Sequence, residues 1–168
     1  MSKNPMQKQR EDLRFRRAVD YVHQESRGIK RINSNELAHL NQILTDTDMS
    51  PWRFEEADIQ IPSGRVARFN VLSNPIDRAR DILGDAMQMV GNKDVAQAGL
   101  YAYQELVSSH LFRDANRRTA VLATIWILET GGIRIDAGKL LAIPLGDLRS
   151  LADKERFGRD FDAILANS

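Results

Sequence analysis

The chain contains no cysteine. That excludes disulfides, thiolate metal sites and a cysteine nucleophile, and nothing suggests an extracellular disulfide scaffold. No apolar run approaches the length of a membrane span. The start, "MSKNPMQKQREDLRFRR", lacks the apolar centre of a signal peptide. Net charge is only +1, so there is no global electrostatic case for nucleic acid. Histidine is scarce too: His23, His39 and His110 are scattered, and no HExxH occurs, which removes the common zinc readings. No G-x-x-x-x-G-K occurs, so a P-loop ATPase is excluded. "TDTD" at 45–48 is a turn with an acid pair, not a calcium loop.

What is present suits one compact domain: 168 residues, 42% of them hydrophobic. The expected setting is the cytoplasm, away from membranes, with delivery as a secreted effector left open. Charge is uneven. Residues 1–31 hold nine Lys or Arg against four Asp or Glu, and the rest of the chain is net acidic. This basic helical extension is either a solvated face or a contact for nucleic acid or an acidic partner. The remainder, 32–168, is read as the main domain.

Periodicity predicts a mainly helical bundle. Residues 7–26 read as a helix with Leu13, Val19 and Val22 on its apolar side. Asn33 or Ser34 caps a second helix running to about Leu44. "SNPIDRARDILGDAMQMV" opens a third at a Ser73 or Asn74 cap, with an apolar stripe from Ile76 to Met87. A fourth spans 94–109. The fifth, 117–130, is apolar nearly all round, stops at Gly131-Gly132 and should be central. Residues 138–143 and 146–165 also read as helical, broken by Pro144. One segment departs from this pattern. "ADIQIPSGRVARFNVL" alternates on both sides of Ser63-Gly64, which predicts a small β-hairpin near 59–71. Such a hairpin is marginal alone. It is either a decorative loop or a movable recognition flap.

The chemistry-bearing residues fall at the junction "SSHLFRDANRRTA", 108–120, between the fourth helix and the central one. A helix start exposes unpaired N–H groups and a partial positive charge, so it attracts anions. Arg118 stands in that first turn, where a bound phosphate would relieve its electrostatic cost, and Arg117 adds a second cation. Asn116 can cap the helix or orient a ligand oxygen. Asp114 could hold Mg²⁺ against phosphates, since that ion needs few protein ligands. His110 could take a proton from an attacking hydroxyl. Phe112 suits an anchor of the loop in the core. Together these parts fit phosphoryl or nucleotidyl transfer. Each also has a plainer reading: a satisfied junction histidine, two capping residues and two solvated arginines.

"HLFRDANRRTA" resembles the signature of the Fic/Doc family, His-Pro-Phe-x-Asp/Glu-Gly-Asn-Gly/Lys-Arg. The likeness extends through "VAQAGLYAYQELVSSH" before it and "AVLATIWILETGG" after it, over roughly residues 35–165. It implies the family's helical fold and a nucleotide-dependent transferase that uses ATP as donor with Mg²⁺. By this resemblance His110 is the general base toward a Ser, Thr or Tyr hydroxyl of a target protein. Asp114 is the metal ligand, and Ala115, Asn116, Arg117 and Arg118 lie at the nucleotide phosphates. Phe112 seats the loop. The hairpin, with Ile61, Ser63, Gly64 and Val66, is the flap that aligns the target.

The departures point toward the Doc-like branch. Leu111 replaces the usual Pro. Ala115 replaces Gly, which is acceptable where the backbone takes no positive φ. Arg117 stands where AMP-transferring members keep Gly, and Doc-like members carry Lys there. Val121 stands where the AMP-transferring members have a second Arg. The branch implies phosphorylation, ahead of AMP transfer or a degenerate binding module. Many relatives are blocked by a Ser/Thr-x-x-x-Glu helix, and no Ser or Thr here has Glu four places on. A separate antitoxin-like inhibitor is therefore the expected partner.

Overall fold

A computed structural model describes residues 3–28, 30–60, 64–70 and 74–168. Seven helices and one hairpin follow in the order α1 (Pro5–Ser26), α2 (Ser34–Thr45), β1 (Ala57–Gln60), β2 (Val66–Phe69), α3 (Pro75–Gly91), α4 (Val95–Ser109), α5 (Asn116–Thr130), α6 (Ala137–Ala142) and α7 (Leu151–Ala166). The starts of these helices follow local chemistry. Asn33 accepts from the Glu36 N–H, and Asn74 from the Ile76 and Asp77 N–H groups, each satisfying donors that a first turn leaves open. Asn4 does the same for α1, two residues earlier than periodicity suggested, with Pro5 in the first turn.

The central position expected for the fifth helix is observed. Ten consecutive residues of α5, Thr119 to Leu128, are buried. Around it pack α4, α1, α2 and α6. Gly99 of α4 permits a close approach: a Cβ there would meet Leu128 Cδ2 at 2.7 Å. Residues 1–31, read as an extension, contribute Ala18 and Val22 to the same core, both fully buried. Glu129 near the end of α5 ties α1 further, accepting the Ser26 hydroxyl at 2.5 Å through one oxygen and standing 2.5 Å from the His23 Nδ1 with the other. Leu13, expected on the apolar side, is 55% exposed. The buried stripe of α1 runs through Ala18, Val22 and Ser26 at i, i+4, and Leu13 falls off it.

The hairpin is antiparallel, pairing Ala57 with Phe69 and Gln60 with Val66. Gly64 takes φ +83, a conformation suited to glycine. Val66 is 66% exposed, whereas Ile59 and Phe69 are partly covered. Ile61 and Ser63 of the expected flap, and the alternative cap Ser73, lie outside the described residues. No helix among the described residues is long and apolar enough to cross a membrane.

Candidate active site

The junction loop leaves α4 through a left-handed residue and enters α5 through another: His110 has φ 48 and Ala115 φ 57. Between them Leu111 and Phe112 turn inward and are buried, while Arg113 and Asp114 remain exposed. Phe112 stacks on Trp52 at 4.8 Å between ring centroids. The segments carrying these two residues form an isolated antiparallel bridge, with Arg53 N–H donating to the Leu111 carbonyl and Arg113 N–H to the Pro51 carbonyl. Asn41, a polar residue within the apolar stripe of α2, donates to the Asp114 carbonyl and to Thr119 Oγ1. The loop is thus pinned on both sides by groups distant in sequence.

Ala115 occupies a backbone conformation that disfavours any side chain with a Cβ, at a cost of about 1–2 kcal/mol. The condition under which alanine would replace glycine freely is therefore not met. Ala115→Gly is expected to stabilise the chain by up to about 1 kcal/mol, the strain relieved exceeding the added unfolded-state freedom. A thermal melt checks it, and a lower Tm would mean that the loop carries no strain there.

The geometry around His110 defines its protonation. The Phe112 N–H donates to Asn116 Oδ1 at 2.9 Å, which fixes the amide orientation. Asn116 Nδ2 then donates to the Phe112 carbonyl at 2.8 Å and faces His110 Nε2 at 3.2 Å. Nε2 must be the lone-pair nitrogen, with the ring proton on Nδ1. Burial and then the nearby Arg53 cation push the imidazole down to about 4, against an opposing pull from Asp114. His110 is neutral at pH 7, with Nε2 free to accept a proton. Its ring stacks on Phe69 of β2 at 4.6 Å.

A cavity of about 410 Å³ gathers these groups. Ile59, Phe69, Val107, Leu145 and Leu148 form its apolar side, and His110, Asp114, Asn116, Arg117 and Arg118 its polar side, with Ala115 among them. The volume is in the range of small-ligand sites. The start of α5 has no side-chain cap, so its first-turn N–H groups are open to an anion.

The residues expected at the phosphates divide. Asn116 is spent on the loop and the imidazole. Arg117 donates from Nη2 to the carbonyls of Leu141 and Ile143, and from Nε to the Tyr103 hydroxyl. It closes the carbonyl end of α6, where a cation is favourable; this differs from the phosphate contact expected of it. Arg118 is otherwise placed. Its Nη1 is buried without a hydrogen-bond partner and lies 3.9 Å from Glu11 Oε2 of α1. Glu11 in turn pairs with Lys3 at 2.7 Å, which with Arg118 and Arg14 lowers its carboxyl from the ordinary value. A search for Ser/Thr-x-x-x-Glu could not find Glu11, because Gln7 stands four residues before it. Sequence reasoning also missed Arg53 and the Phe69 stack. Asn41 alone left a signal, as an amide on an apolar helix face.

The model of the Fic/DOC family matches residues 31–128, more than half of the chain. The protein belongs to the Fic/DOC family. Among solved structures the fold is similar to a Fic domain-containing signaling protein from Bacteroides thetaiotaomicron. The TM-score is 0.72 at 16% identity, over 99% of this chain and 72% of that one. A comparison with curated protein sequences finds no match.

Proposed function

We propose that this chain transfers the γ-phosphoryl group of ATP to a side-chain hydroxyl of a target protein. The observation that carries the reading is the unprotonated Nε2 of His110 in the same cavity as Arg118 and the uncapped start of α5. The acceptor O–H replaces Asn116 Nδ2 as the partner of Nε2 and gives it the proton. The acceptor oxygen bonds to phosphorus as the bond from phosphorus to the β-bridging oxygen breaks, and ADP leaves with the electron pair. Arg118 and the helix start hold the anionic charge.

A divalent metal fits this arrangement through Asp114. Its Oδ1 accepts from the Ala115 N–H at 2.5 Å, and its side chain is exposed beside the cavity. No cluster of three or more His, Cys, Asp or Glu suited to a metal occurs among the described residues. One carboxylate suffices for Mg²⁺, which otherwise keeps water and phosphate oxygens. When bound it would offset the charge of the phosphates.

The Doc-like assignment is supported by Arg117 and Val121. Val121 is fully buried in the core and cannot reach a phosphate. The acceptor is a Ser, Thr or Tyr of another protein, and a separate antitoxin-like inhibitor is the proposed regulator. Any contact with nucleic acid would fall on α1, where Lys8, Arg10, Arg16 and Arg17 are exposed.

The test is paired labelling of a cell extract with ATP carrying phosphorus-32 at the γ or at the α position. Protein is expected to take label from γ alone. Label from α would replace phosphorylation by AMP transfer, and label from neither would leave a binding module.

A further inference from the structure

Arg53 is almost completely buried, at 1% exposure, yet among the described residues no carboxylate hydrogen-bonds its guanidinium. Its acceptors are backbone carbonyls from three segments. Nε donates to His110 at 2.6 Å, Nη1 to Glu55 and to Asn70 at 3.1 Å, with Phe69 at 3.4 Å, and Nη2 reaches Ser109 at 3.5 Å. Glu55, the acid whose charge acts on Arg53, turns its carboxylate to Arg113 at 3.1 Å. A buried cation without a carboxylate is a costly way to gain stability alone. A planar fork, however, can hold separate carbonyls in one fixed arrangement.

The segments it joins are the end of α4 with His110, the chain entering β1, and the end of β2. Phe69 sits at that last position. Its ring stacks on the His110 ring, and the Arg149 guanidinium lies over it, 4.5 Å from the centroid. Arg149 also donates to the Arg68 carbonyl at 2.9 Å. Asn116 holds the Nε2 edge of the imidazole, and Phe69 determines its plane.

Resting on the reading of His110 as the base, we propose that Arg53 is a positioning residue. From its buried seat it ties the hairpin to the loop, so that Phe69 holds the imidazole toward the acceptor. Arg53 is not among the residues lining the cavity, so nucleotide contacts do not depend on it directly.

The experiment records the His110 ring protons by NMR at one fixed pH in the full chain, assigned by their loss in His110→Gln. In the wild type the Phe69 ring current displaces them upfield. Arg53→Lys keeps the charge and loses the fork; it is expected to remove most of that displacement. Phe69→Leu, which leaves Arg53 in place, is expected to remove it as well. Arg53→Met should do the same where it folds, but it strips several carbonyls of their donor and can unfold the chain, so Arg53→Lys decides. In the transfer assay Arg53→Lys should lower kcat on the order of 10- to 100-fold, since a small misplacement of a reacting group has that effect, and leave KM for ATP unchanged. An altered Tm with unmoved ring protons would reduce Arg53 to a structural role and overturn the proposal, as would a change confined to KM. The NMR arm needs no substrate. A wild type that transfers nothing would sink the function proposed above and leave this measurement standing.

Discussion

His110→Ala should reduce transfer to the target on the order of 10²- to 10⁴-fold, the usual contribution of a positioned general base. ATP affinity should stay within about two-fold, because in the proposed reaction the base acts on the acceptor oxygen and the phosphate charge is met by Arg118 and α5. A single-turnover assay and a nucleotide titration on the same preparation separate the two quantities. Unchanged turnover would remove His110 from the chemistry. The pH dependence follows from the same geometry. With the imidazole pushed down to about 4, activity should be level from neutral pH to about 5 and fall only as the ring protonates. A base with an ordinary histidine value would begin to fail near 6.5. The stability consequence has the same direction. Between 6.5 and 4 the unfolded chain binds a proton that folded His110 refuses. The stability this group supplies is complete above 6.5 and is lost as pH falls through that window. Chemical denaturation at pH 7 and pH 5 checks the sign, which reverses if His110 is protonated when folded.

The helices were readable because their signals are local. Asn33, Asn74 and Gly131 act within one turn of their own positions, and a helix apolar nearly all round has nowhere to go but the middle. Period two on either side of Ser63-Gly64 marked the hairpin for the same reason. The motif at 110–118 was legible as an inventory of residue types, but their uses were not. Arg117 serves the carbonyls of residues 24 and 26 places on, and Arg53 the carbonyl of a residue 57 places on. Such long-range fastenings arise only when α6 and the hairpin have docked, and no periodicity carries them. Ala115 shows the converse limit: its positive φ is imposed by a loop whose two ends are held by Phe112 in the core and by Asn41 on α2. Tyr103 illustrates a smaller one. Two tyrosines lie on α4, Tyr101 and Tyr103, and the fully buried one is Tyr103, facing Phe157 of α7 at 4.5 Å.

Arg118→Ala should weaken ATP binding on the order of 10- to 100-fold, the loss expected from a charge-assisted hydrogen bond of about 1.5–3 kcal/mol. Its Nη1 is already desolvated and lacks a hydrogen-bond partner, so little of that binding energy is spent on stripping water. Glu11 works against the same equilibrium. At 3.9 Å it is too far for a hydrogen bond but close enough to lower the positive potential that phosphate meets. Both side chains keep about a fifth of their surface exposed, and Glu11 is shared with Lys3, so the pair belongs with the weak ones, at about 0.5–1 kcal/mol. Glu11→Gln should therefore tighten ATP binding about two- to five-fold, with the gain shrinking as salt screens the pair. In an Arg118→Ala background the Glu11 substitution should add little, because its effect runs through the guanidinium. A gain that survives there would mean direct repulsion of the phosphates. Equal affinity of Glu11→Gln and the wild type would place α1 outside the binding equilibrium, and an Arg118→Ala chain that binds ATP normally would move the anion site away from the start of α5.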